Sequence, residues 1–140
     1  MDPRVKAAIE AAVVHEPFAR SAGIELHRLE DGFSRVEMIY DPARQANIYG
    51  RAHGGALFGL IDEAFETAAQ TDGTVAVAMN VSVTYIASPE PGARLWAEAR
   101  RVAQTKRTAT YDIKIGNVDG HLIAVCQALA FRTAKPIPFL

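Results

Sequence analysis

The segment His53-Gly54-Gly55-Ala56-Leu57-Phe58-Gly59-Leu60-Ile61-Asp62-Glu63-Ala64-Phe65 decides how the rest of the chain is read. Two glycines open a long apolar run, and one carboxylate, Asp62, interrupts it a little over two turns later. The spacing predicts a helix from about His53 to Gln70. The first N–H groups of a helix have no partner inside it, and the helix dipole adds partial positive charge. The glycine end can therefore hold a developing negative charge. A carboxylate within an apolar helix costs free energy unless something satisfies or uses it. Together, the glycine end and Asp62 imply a hydrolytic site.

On a helical wheel Leu57, Phe58, Ile61, Ala64, Phe65, Ala68 and Ala69 form a broad apolar arc, so the helix should be wrapped rather than laid on a surface. Glu63, Glu66, Thr67 and Gln70 take the opposite arc with Gly55, Ala56 and Gly59, and Asp62 sits at the border. These small residues would let a second backbone come close.

Upstream, Asp2-Pro3 reads as a cap and first turn, and Val5, Ala8, Ile9, Ala12 and Val13 recur at helical spacing. This gives an N-terminal helix within residues 1–17 that needs a partner surface, and then a connector from Phe18 to Gly23. Strands are expected at Ile24–Leu29 and, after Asp31-Gly32, through Val36, Met38 and Tyr40. Residues 41–52 form a loop with Asn47, Tyr49, Gly50 and Arg51.

Downstream, residues 75–87 alternate. Val75, Val77, Met79, Val81, Val83 and Tyr85 fall on one face, and Ala76, Ala78, Asn80, Ser82 and Thr84 on the other. The second face is small and partly polar, which suits another chain or a ligand. Strand patterns follow at 93–103, 108–118 and 121–132, and Asp119-Gly120 joins the last two as a hairpin. Residues 134–140, with Pro136 and Pro138, are expected to be a loose tail.

At 140 residues, 49% hydrophobic and 22% charged, the sequence fits one domain spanning 1–140 with a real core. A formal net charge of −1 gives no electrostatic case for nucleic acid. The apolar runs are too short to cross a bilayer, no signal peptide opens the chain, and a cytoplasmic location is expected. Cys126 has no partner for an internal disulfide and reads as a small buried hydrophobe.

A helix, two strands, one long apolar helix and four antiparallel strands imply an α+β fold: a curled antiparallel sheet wrapped around the long helix, the hotdog fold. Asn47-x5-His53-Gly54-Gly55-x6-Asp62-x-Ala64 resembles the motif of hotdog-fold acyl-CoA thioesterases of the PaaI-like, phenylacetate-degradation type. The resemblance extends through Val83-Thr84-Tyr85, Thr105-Lys106 and Tyr111-Asp112-Ile113, and so covers roughly residues 20 to 132.

That resemblance implies hydrolysis of an acyl-CoA thioester to a carboxylic acid and free CoA. CoA enters as part of the substrate, and no metal or redox cofactor is expected. By the same resemblance the Gly54 N–H polarises the carbonyl, Asp62 acts as general base or nucleophile, and Asn47 positions the reacting groups. The chemistry suits these groups. An oxyanion develops at the carbonyl, and one preorganised donor is worth about 3–4 kcal/mol. Thiolate leaves well enough for a single carboxylate to suffice.

His53 either shapes the helix start or takes a direct part, and Asn47 is a turn residue on the alternative reading. Gly55, Phe58, Glu66, Tyr85, Lys106 and Arg107 are candidates for substrate binding, the two cations for the CoA phosphates. Glu66 and Ala78 depart from the family, Ala78 near a position where some relatives carry a serine.

Gly54 and Asp62 are eight residues apart, about 12 Å along a helix axis. The carboxylate acting at one helix start must therefore come from another subunit, which calls for a homodimer with shared sites, expected to pair further into a homotetramer. Two other readings on the same fold are a non-catalytic acyl-ligand binding protein and an enoyl-CoA hydratase or dehydratase. The latter needs an acid/base pair near the acyl Cα–Cβ bond.

Overall fold

Proline, aspartate and glycine set many of the element boundaries. Asp2 caps α1 (Pro3–His15), accepting the Arg4 N–H at 2.8 Å. Pro17 then cannot continue that helix, but its missing N–H is no loss at a helix start. A second helix, α2 (Pro17–Ala22), thus stands where a connector was expected, and it ends on left-handed Gly23 (φ 69°). Next come β1 (Glu25–Glu30), β2 (Phe33–Ile39), a short α3 (Pro42–Gln45) inside the expected loop, and the long helix α4 (Gly54–Ala69). The chain closes with β3 (Thr74–Tyr85), β4 (Arg94–Gln104), β5 (Thr108–Asn117) and β6 (Leu122–Pro136). This computed structural model describes all 140 residues.

The six strands form one antiparallel sheet in the order β1-β2-β4-β5-β6-β3, curled around α4, which touches every strand. Leu57, Leu60, Ile61, Ala64, Phe65 and Ala68 fill the centre with Val36, Met38, Leu95, Tyr111, Ile113 and Ile115. Burying one such large side chain contributes about 1.5–3 kcal/mol. No helix is long and apolar enough to cross a membrane.

Three local expectations are corrected. In β3 the alternation does not run through. The register slips between Ala78 and Asn80, so Met79 is an extra residue on the bulged strand. Ala76 on one side of the slip and Val81 and Val83 on the other all pack on the core, while Val77 and Met79 are exposed. The tail is not loose. Thr74 pairs with Pro136, and the Ile137 N–H donates to the Gly73 carbonyl at 3.0 Å. Ile137 is buried with Val5, Ile9, Val13 and Leu29, which is the partner surface α1 required. The polar arc of α4, finally, is covered along its middle, at Gly59, Glu63 and Thr67. Glu63 and Thr67 are each 2% exposed, and Phe18 of α2 lies over Gly59, where an added Cβ would sit 2.7 Å from its ring.

Candidate active site

The loop before α4 aims the helix start. Gln45, at the end of α3, accepts the Asp41 N–H on its side-chain oxygen (2.8 Å) and the His53 N–H on its carbonyl (2.7 Å). Ala46 and Ala52 close the loop with a single β-bridge. Inside it the Asn47 side-chain oxygen accepts the N–H groups of Tyr49 (2.9 Å) and Arg51 (3.1 Å). Asn47 is therefore a turn-building residue by geometry, and only its amide nitrogen is left to face a ligand.

His53 is the N-cap of α4, with Nδ1 accepting the Gly55 N–H at 2.8 Å. That bond uses the Gly55 donor and puts the neutral ring's proton on Nε2. The neighbouring Gly54 N–H is the first of the helix and has no intrahelical acceptor. Tyr85 stands beside it, its hydroxyl donating to the Gly54 carbonyl at 3.0 Å. Asn47, Arg51, Gly54, Leu57 and Tyr85 line an open cleft of about 570 Å³. The structure thus brings Asn47, Gly54 and Tyr85 together, with His53 bonded behind them.

Asp62 opens elsewhere, into a pocket of about 220 Å³ shared with Phe65, Glu66, Ala76, Ala78 and Ala130. The two clefts share no lining residue. The second is mostly methyl groups, Ala78 among them, so no hydroxyl stands beside the carboxylate there. Desolvation by this surface raises the Asp62 pKa above the ordinary aspartate value. Glu66 is exposed, and its pKa is raised by burial of its carboxylate and by the charges of Glu16 and Asp62.

Phe58 is half-buried and lines neither cleft, and Lys106 and Arg107 stand exposed in the β4–β5 turn, also outside both. Gln45 and the buried Glu63 escaped the sequence reading. Gln45 left no periodic signal, and Glu63 falls on the arc expected to be polar. Cys126 is buried with its thiol pushed up to about 11, chiefly by desolvation, which makes it inert.

Residues 49–124 match the family model of the thioesterase superfamily. The acyl-coenzyme A thioesterase PaaI of Escherichia coli is 32% identical over 85% of this chain and 84% of its own length. The structure of the E. coli PaaI protein from the phenylacetic acid degradation operon superimposes with a TM-score of 0.89 at 28% identity, covering 95% of this chain and 96% of that one. A point-mutant form of the phenylacetic acid degradation protein PaaI from Thermus thermophilus gives 0.79 at 33% identity, over 84% and 99%. A hypothetical thioesterase of Streptococcus pneumoniae with coenzyme A gives 0.79 at 26% identity, over 86% and 94%. The fold, the helix start and these likenesses agree: the chain is a thioester hydrolase of the hotdog fold and belongs to the thioesterase superfamily.

Proposed function

We propose that this enzyme hydrolyses acyl-CoA thioesters in the cytoplasm, at two equivalent sites shared across a homodimer. The observation that carries the reading is the separation within one chain: a free Gly54 N–H opens to one cleft and Asp62, two turns later, to another. The free edge of β3, which pairs only with β6, offers a surface for a second copy. The coenzyme A in the streptococcal structure supports the leaving group.

In the proposed reaction the acyl carbonyl oxygen accepts the Gly54 N–H at the positive end of α4. Asp62 of the partner subunit takes a proton from water as the water oxygen attacks the carbonyl carbon; direct attack by the same carboxylate is the other route. The oxyanion rests on Gly54, the C–S bond breaks, and CoA leaves as thiolate and is protonated. A raised pKa makes Asp62 the stronger base. The reaction needs no metal or redox cofactor. His53 sits beside the glycines and commits Nδ1 to a helix cap, which removes it from the acid/base role a hydratase requires.

The test is a panel of acyl-CoA substrates with thiol release as readout. Asp62→Asn lowers kcat by about 10²–10⁴-fold with little change in KM. Gly54→Pro removes the donor while keeping a residue suited to a first helical position, and lowers kcat by about 10²–10³-fold. Refolding the two inactive variants together at equal amounts restores about a quarter of wild-type activity, because half the dimers are mixed and each holds one intact site. Near-normal turnover in Asp62→Asn, or no recovery on mixing, defeats the reading.

A further inference from the structure

Behind the catalytic face of α4 lies a group of carboxylates that the hydrolysis does not use. We propose that Glu16, Glu63 and Glu66 bind one divalent, oxygen-seeking cation of the Ca²⁺, Mg²⁺ or Mn²⁺ kind, which ties the α1–α2 joint to α4. Glu63 and Glu66, three residues apart, lie on one face of α4, and Glu16 is the single residue between α1 and α2. One carboxylate oxygen of each lies within 4.8 Å of the other two. Oxygens bound to one ion at about 2.0–2.6 Å stand no farther apart than about 5 Å, so the three already fit around a common centre.

Two further observations point to a ligand rather than to chance crowding. Glu63 is 2% exposed, and its Oε1 is buried without a hydrogen-bond partner. A buried, unpartnered carboxylate oxygen is costly unless a proton or a cation meets it. The protein supplies no such cation: none of its ion pairs involves Glu16, Glu63 or Glu66.

The chemistry of the donor set fixes the class of ion. Three clustered carboxylates select hard cations over copper or zinc; His15 lines the adjoining pocket, but its imidazole is not among the clustered donors. Glu16 and Glu66 also line a pocket of about 220 Å³, with room for the waters that complete such a coordination shell. Glu63 is buried, whereas Glu66 is exposed and marks the side of entry. The ion holds structure at the α1–α2 joint; Glu66 also lines the Asp62 pocket, but binding is read without turnover, so the proposal is tested apart from the thioester reading.

The test uses full-length protein stripped with EDTA and desalted. Mn²⁺ is titrated by electron paramagnetic resonance and Ca²⁺ and Mg²⁺ by calorimetry, with melting followed in parallel. At least one of the three binds at one ion per chain and raises Tm by about 8 °C at 100 times its dissociation constant. Glu63→Gln and Glu16→Gln each weaken binding at least about tenfold. Both variants keep the volume of the side chain and lose charge repulsion, so they melt no lower than the metal-free wild type. Glu10→Gln, a carboxylate on α1 outside the cluster, binds as the wild type does. Absence of binding for all three ions through the millimolar range overturns the proposal. So does binding that survives both Glu16→Gln and Glu63→Gln; in either case Glu63 is met by a shared proton instead.

Discussion

In the proposed reaction, Asp62 is the residue on which rate and pH response both turn. Its pKa is raised by desolvation alone, with no hydrogen bond in the chain to favour the anion. The base must be ionised to work, so the acid limb of kcat/KM lies at higher pH than for an ordinary aspartate. Lining the pocket with a hydroxyl, Ala78→Ser, moves that limb to lower pH by stabilising the anion. A pH–rate series on both proteins checks this, and coincident limbs count against the assignment. The placement of His53, Gly54, Gly55 and Asp62 was legible because it is local: a helix start and a carboxylate at fixed spacing along one helix. The burial of Glu63 was not, because it depends on α2 packing against α4, which only the folded chain brings about.

Between elements, the turn from α4 into β3 is held by charge. Asp72 accepts the N–H (3.0 Å) and the hydroxyl (2.7 Å) of Thr74 on one oxygen and the Arg132 guanidinium on the other. Burial alone would raise its pKa, but these bonds outweigh it and hold the carboxyl below its ordinary 3.8. Its contribution is thus fully present above about pH 3.8 and is lost as pH falls toward the lower folded value. Asp72→Asn costs about 1–3 kcal/mol at neutral pH, less as the medium is acidified, and urea melts at two pH values measure it. The elements were mostly readable from periodicity, and the exceptions have local causes. Pro17 marks a stop and a start with the same residue, so α2 passes for a connector. Ile137 lies between two prolines, yet its side chain fills the gap under α1.

Across the whole molecule, the outer edge is the feature on which the proposed dimer depends. After the slip in β3, Val81 and Val83 turn inward, and Asn80, Ser82 and Thr84 are exposed. A second copy docked on this strand would meet those small polar side chains. Ser82→Arg puts bulk and charge on that face, and the expected outcome is a monomer on size exclusion that folds normally and has lost turnover. A variant that dimerises and works as the wild type does would place the interface elsewhere.

The slip has an evolutionary consequence. Removing residue 79 leaves Ala76, Val81 and Val83 at even steps, so the shortened strand keeps these core-packed side chains on one face. A deletion of one codon is therefore expected to spare folding while redrawing the contour of the exposed strand face, the surface proposed to meet a second copy.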